Sequence, residues 1–252
     1  MLKVRLIPTL LYRDHGLVKG ERFDSGRRIG SPLQAIKVYN LRQVDELVFL
    51  DIAATRDGRE PDYALVDALA DDCFMPLAVG GGIRSLQHVR RLLQVGADKV
   101  VIGSAASEVP GLVQEAAATF GSQCVMVAID ARALPGGGYE TVIRSGTVPT
   151  GMDPVTAAQR AADAGAGEIL LTAMDRDGTL AGYDLELIRQ VSAAVTVPVI
   201  AAGGAGRYAD FLAALSQGGA AAVAAAAMFH FTEQTPLEAK AFLATHGVHV
   251  RL

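Results

Sequence analysis

Short, almost wholly apolar runs alternate along the chain with longer stretches whose apolar residues return every three or four positions. The runs cover residues 4–10, 46–52, 77–79, 99–102, 124–130, 168–172, 197–201 and 221–225. Strands that are apolar on both faces belong to a sheet covered on both sides, as parallel sheets are. Between them the helical period is plain: over residues 85–95, Leu86, Val89, Leu92 and Leu93 share one face while Arg90, Arg91 and Gln94 fall elsewhere. Eight β-then-α units of about 31 residues each have the length of a βαβ repeat. The pattern predicts an α/β protein, a closed (β/α)8 TIM barrel spanning residues 1–252 as one domain. A doubly wound open sheet would show the same alternation.

An internal repeat decides between them. Residues 46–51, followed by Thr55, Arg56, Asp57 and Gly58, recur as residues 168–172, followed by Asp175, Arg176, Asp177 and Gly178. Residues 79–84 (VGGGIR) likewise recur as 202–207 (AGGAGR), and 96–100 as 218–223. All are offset by about 120 residues, as two repeated half barrels would be. Two connections are long, residues 12–31 and 131–153. Each follows the first strand of a half and lies on the face where barrels build their sites, so both are candidate lids.

Composition narrows the function classes. The 23 basic and 27 acidic residues give a net charge of −4, so no global positive field exists to collect nucleic acid or anionic lipid. No apolar stretch approaches the roughly 20 residues that cross a bilayer, and the start of the chain lacks a targeting pattern. Cys73 and Cys124 have no metal-like spacing with each other or with the five histidines. They read as reduced core residues of a soluble, cytoplasmic protein, and nothing in the sequence calls for a metal or a cofactor.

Three groups of residues carry candidate chemistry. Gly81 and Gly82, and again Gly203 and Gly204, follow a strand and precede a helical pattern, where bare N–H groups at a helix start hold phosphate. Ser104 adds a hydroxyl after the fourth strand, Gly178 joins the same set, and the ligand expected is a phosphorylated small molecule. Asp130 ends a buried run at the catalytic face, where a general acid or base belongs. Its twin in the first half is Leu11, which moves no proton; Asp14 replaces it only if its loop folds back over the mouth. Arg5, Glu46, Lys99 and Glu168 sit at strand starts, two cations and two anions that would pair across the barrel floor. Asp98 next to them faces outward. Lys19, between Gly16 and Gly20 in the first long loop, is placed to reach a substrate phosphate when that loop closes.

Over nearly the whole chain these segments resemble the synthase (cyclase) subunit of imidazole glycerol phosphate synthase. The resemblance is carried by residues 18–20 (VKG), 45–51 (DELVFLD), 79–82 (VGGG), 96–99 (GADK), 127–130 (VAID), 165–172 (GAGEILLT), 175–179 (DRDGT), 203–206 (GGAG) and 246–252 (HGVHVRL). It implies a barrel that receives ammonia from a glutaminase subunit docked on its floor and uses it at the top on a substrate with two phosphates. It makes Arg5, Glu46, Lys99 and Glu168 an ammonia gate, Asp98 part of the docking surface and Asp130 one of two catalytic carboxylates. The other carboxylate belongs where Leu11 stands. The family's hydroxyl after strand eight is replaced by Ala226 and Ala227. These departures resemble a paralogous branch in which barrel and glutaminase supply ammonia to a sugar-amidating enzyme making acetamidino groups on surface polysaccharide. The expectation is therefore an ammonia-channelling subunit of that kind. The alternatives are a working cyclase of histidine biosynthesis and an aminoaldose phosphate isomerase.

Overall fold

The computed structural model describes residues 3–24 and 26–252; Met1 and Leu2, part of the stretch searched for a targeting pattern, lie outside the described residues. Eight parallel strands close into a barrel: β1 (Arg5–Arg13), β4 (Leu47–Asp51), β5 (Leu77–Gly80), β6 (Lys99–Ile102), β7 (Val125–Ala133), β10 (Glu168–Ala173), β11 (Val199–Ala202) and β12 (Ala222–Ala225). They pair in that order, and β12 returns to β1 with Arg5 beside Ala222. The open-sheet alternative is excluded by this closure. Each strand falls within two residues of its predicted start.

Because side chains alternate across a strand, one set fills the barrel and the other faces the helices. Ile7, Val48, Ala78, Val101, Met126, Leu170, Ile200, Ala222 and Ala224 form the inner cluster. The outer cluster seats the helices α1 (Pro32–Leu41), α2 (Tyr63–Asp72), α3 (Leu86–Gln94), α5 (Leu112–Phe120), α6 (Pro154–Asp163), α7 (Leu185–Ala194), α8 (Tyr208–Ser216) and α10 (Pro236–Thr245). Starts are marked as sequence chemistry dictates: Asp62, Ser85, Asp153 and Asp184 accept from the backbone N–H three residues on.

The two long connections carry structure of their own. The first folds into the hairpin β2 (Gly16–Lys19) and β3 (Arg27–Gly30), and the second into β8 (Tyr139–Ile143) and β9 (Val148–Pro149). Two short helices, α4 (Ala105–Glu108) and α9 (Ala227–Phe231), follow β6 and β12 at corresponding places in the two halves. Cys73 and Cys124 are free but only half-buried. Neither is fully enclosed as the sequence suggested: Cys73 packs against the edge of the core at the end of α2, its thiol donating to the Met75 carbonyl at 3.3 Å.

Candidate functional site

At the carboxyl ends of the barrel strands lies a cavity of about 180 Å³ that gathers every upper-face residue singled out in the sequence: Lys19, Gly81, Gly82, Ser104, Asp130, Gly178, Gly203 and Gly204. Leu11 lines it as well. The strand geometry explains the convergence. Position 130 lies two residues beyond inward-facing Ala128 on β7, and position 11 two beyond Thr9 on β1, so both project at the rim.

Asp130 is a carboxyl at the rim of this cavity with a displaced titration. Burial pushes it up to about 7, against a smaller lowering by its hydrogen bond with Thr172, and the charge of Asp177 adds to the rise. A carboxyl poised near neutrality can hold and release a proton at physiological pH. Leu11 gives it no partner. Nor does Asp14: its residue turns left-handed (φ 49°) at the exposed tip between β1 and β2, pairs with Arg13 at 3.5 Å and does not fold over the mouth.

The glycine turns repeat in space as they do in sequence. Gly81 and Gly203 both have positive φ, at 108° and 83°, and a Cβ on either would run into the carbonyl of the preceding barrel strand, that of Asp51 or of Ala173. The N–H groups of Gly81 and Gly204 have no hydrogen-bond partner among the described residues, so they stand free toward an anion. The long helices beyond are a different matter. Ser85 caps α3, and Asp210 takes the N–H groups of Gly206 and Arg207 at 2.9 and 2.8 Å, so neither helix start is bare as the sequence reading expected. Gly82 also differs, its N–H being taken by the Thr55 hydroxyl at 3.2 Å. At the cavity rim, α4 and α9 start without a side-chain cap, at Ser104 and Ala226. Ser104 accepts from the Arg144 N–H at 2.9 Å, which leaves its own proton available.

Lys19 is not a free loop lysine. It is buried, and its ammonium makes two 2.8 Å contacts to the Asp177 carboxylate. Arg22 N–H donates to the Asp177 carbonyl at 2.7 Å, and Gly178 is closed over by Gly20. The β2–β3 hairpin is thus strapped across the mouth. Sequence reading missed Asp177, although its place in the repeated Arg-Asp-Gly segment marked it. The second excursion also reaches over: Ser145 donates to the Ile52 carbonyl at 2.6 Å, and Tyr139 anchors the hairpin to Asp184 at 2.8 Å.

At the opposite end the four charged side chains close a ring. Arg5 binds Glu46 and Glu168, each at 2.6 Å, and Lys99 binds Glu46 at 2.9 Å and Glu168 at 2.8 Å. Burial alone would raise the Glu168 carboxyl; hydrogen bonds from Arg5 and Lys99 outweigh it and hold the group below the ordinary carboxylate range. Asp98 is exposed beside the ring, with one oxygen accepting from Leu77 N–H at 2.8 Å. The same end carries two apolar side chains that sequence reading passed over, Leu41 as the last residue of α1 and Phe74 on the connection after α2, 84% and 86% exposed.

Among the described residues no cluster of His, Cys, Asp and Glu could hold a metal ion, and no helix is long and apolar enough to cross a membrane. The family described as "Histidine biosynthesis protein" matches residues 5–235. The imidazole glycerol phosphate synthase subunit HisF of Hyphomonas neptunium is 51% identical over 251 residues, covering 100% of this chain and 99% of that one. With barrel, repeated glycine turns and sequence in agreement over nearly its full length, the chain belongs to the histidine biosynthesis protein family.

Proposed function

We propose that this chain is the synthase subunit of a cytoplasmic, glutamine-dependent imidazole glycerol phosphate synthase, working with a glutaminase docked on the barrel floor. The observation that carries the reading is the 51% identity to a HisF subunit over the full length of both chains. It moves the preference from polysaccharide amidination to cyclase chemistry. The geometry supports a division of labour. Leu41 and Phe74 offer apolar contact around the floor, with Asp98 as a charged landmark. Ammonia would enter by transient opening of one pair in the Arg5–Glu46–Lys99–Glu168 ring. Above the ring, alanines at 78, 222 and 224 thin the apolar layer, which favours neutral ammonia over ammonium because a bare charge is costly there.

At the mouth, Gly81 and Ser104 on one side, with Gly82 shaping the turn, and Gly178, Gly203 and Gly204 on the other would take the two phosphates of the substrate. Asp130 would act as general acid or base for ring closure, with Lys19 holding the lid through Asp177. An isomerase of aminoaldose phosphates has no use for a charged floor ring, which counts against that reading.

One observation favours a second reading. Leu11 stands where the resemblance places the partner carboxylate, and Ala226 and Ala227 remove the hydroxyl after β12. A barrel that conducts ammonia to a sugar-amidating enzyme could dispense with both. The test is turnover of the bis-phosphorylated cyclase substrate by the purified chain, with ammonium salt and with a glutaminase partner. Cyclase turnover in the ordinary enzymatic range sustains the first reading. Absence of turnover, with cyclisation appearing only in Leu11→Asp, would favour the second, since a lost proton-transfer group costs about 10²–10⁴-fold.

A further inference from the structure

Outside the barrel, a second cavity of about 230 Å³ lies between β6, β7 and β8 and the helices α4, α5 and α6. Its walls are apolar, with Val109, Val113, Val127, Ile129 and Ile143 among them. Four polar side chains break that surface: Ser107 and Gln114, both exposed, and Thr141 and Arg160. The Thr141 side chain is buried, the residue being 4% exposed, and its hydroxyl has no hydrogen-bond partner. Its backbone is fully used, N–H to the Met152 carbonyl at 2.7 Å and carbonyl to Thr150 N–H at 3.0 Å, so the hydroxyl alone is left over. The guanidinium of Arg160, on the exposed side of α6, has no ion-pair or hydrogen-bond partner among the described residues. It is the one charged side chain in the lining.

A buried hydroxyl without a partner carries an uncompensated desolvation cost, and a ligand atom that bonds it removes that cost. An apolar chamber with one buried hydroxyl and one unpaired guanidinium at its rim has the make-up of a small-molecule site, on a scale below that of drug-sized pockets. We propose that this chamber binds a small monocarboxylic acid with an aromatic or branched apolar body. One carboxylate oxygen would accept from the Thr141 hydroxyl and the other from Arg160, with the apolar body against the valines and isoleucines of the lining. A phosphate ester does not suit the apolar lining.

The site touches the mouth through one thin wall. Gly103 and Ala128 line both cavities, and the β6–β7 pairing stops one residue earlier, at Ile102 and Val127. A Cβ at Gly103 would meet nothing within 4 Å, so no side chain fills the gap. Occupancy of the outer chamber is therefore felt at Gly103 and on the strand that carries Asp130.

The test is titration of the full chain with benzoate, followed by backbone and methyl NMR. Benzamide and inorganic phosphate serve as controls, and neither is to reproduce the benzoate effect. The expected result is saturable shifts at Val127, Ile143 and Gly103 with a dissociation constant of about 1 mM. Binding is to weaken at least tenfold in Arg160→Gln, an exposed position whose change leaves the fold alone. Thr141→Val, of equal shape, is to weaken benzoate while leaving the free protein at least as stable as before. No saturation by about 20 mM, equal binding by Arg160→Gln, or shifts confined to Ser104 and Gly204 at the mouth would each overturn the proposal.

Discussion

Asp130 joins two properties at one residue: it sits at the rim of the cavity, and its burial favours the protonated form. The raised value has a cost with a definite sign. Between the ordinary carboxylate range and about pH 7, the folded chain keeps a proton that the unfolded chain has released. Folding stability is therefore highest below the unfolded value and falls as pH climbs toward 7. Asp130→Asn abolishes this dependence, so it is expected to melt near the wild type at pH 4 and above it at pH 8. Each displaced unit is worth about 1.4 kcal/mol, and the side of the carboxyl open to the cavity reduces the sum to about 1–3 kcal/mol. Activity should move the other way, with a loss of about 10²-fold or more and disappearance of an inflection near pH 7 in the rate profile. A substitution that lowered rate without touching that inflection would show that the titrating group lies elsewhere. Leu11, on the rim of the same cavity, carries no titrating group and cannot compensate.

At the scale of elements, the strap between the β2–β3 hairpin and the Asp177 turn holds the mouth closed. Lys19 contributes a buried ammonium, and Asp177 is its one carboxylate partner among the described residues. Removing one member of a buried pair costs about 3–5 kcal/mol when the survivor stays buried, but a hairpin at the molecular edge has an escape: it opens. Asp177→Asn should therefore leave the melting temperature of the barrel nearly unchanged and accelerate amide exchange over Gly16–Lys19 by one to two orders of magnitude, roughly the opening of a local unit. A large fall in melting temperature with unchanged exchange would mean that the strap belongs to the core. This hairpin was not legible in the sequence as strands. Arg27–Gly30 is mostly exposed and short, and its order comes from β2 rather than from its own pattern. The eight barrel strands were legible because burial on both faces forces an unbroken apolar run, as in Leu77–Gly80. The ion pair of Lys19 was hidden for the same kind of reason as the hairpin: its partner lies 158 residues away and is brought near only by closure of the barrel. Thr141 and Arg160 were likewise invisible, since a chamber between layers has no periodicity of its own.

Across the whole molecule the floor ring ties β1 to residues at the entries of β4, β6 and β10, and here the sequence was a better guide than at the mouth. Charges at strand starts stand out against apolar runs, and two of each sign leave few ways to pair. The ring contains two cations and two anions and is neutral only while both carboxyls are ionised. Glu168 is held below the ordinary range by Arg5 and Lys99, so its share of stability is present above the unfolded carboxylate value and is lost as pH falls through its own lower one. The wild type should lose stability steeply below about pH 4, whereas Glu168→Gln, already short of one charge, should start about 1–3 kcal/mol lower at pH 7 and decline less on acidification. Lys99→Met makes the complementary change. Glu46, whose side chain is 2% exposed, keeps Arg5 but loses its second cation. Stability should fall by about 2–4 kcal/mol, while the cavity at the other end, built from different layers, is left unchanged. If the ring also admits ammonia, the same variant should alter the ratio of glutamine hydrolysed to ammonia captured in the presence of a glutaminase. An unchanged ratio at lowered stability would reduce the ring to a structural plug, because a gate and a plug are equal in energy and differ only in what passes.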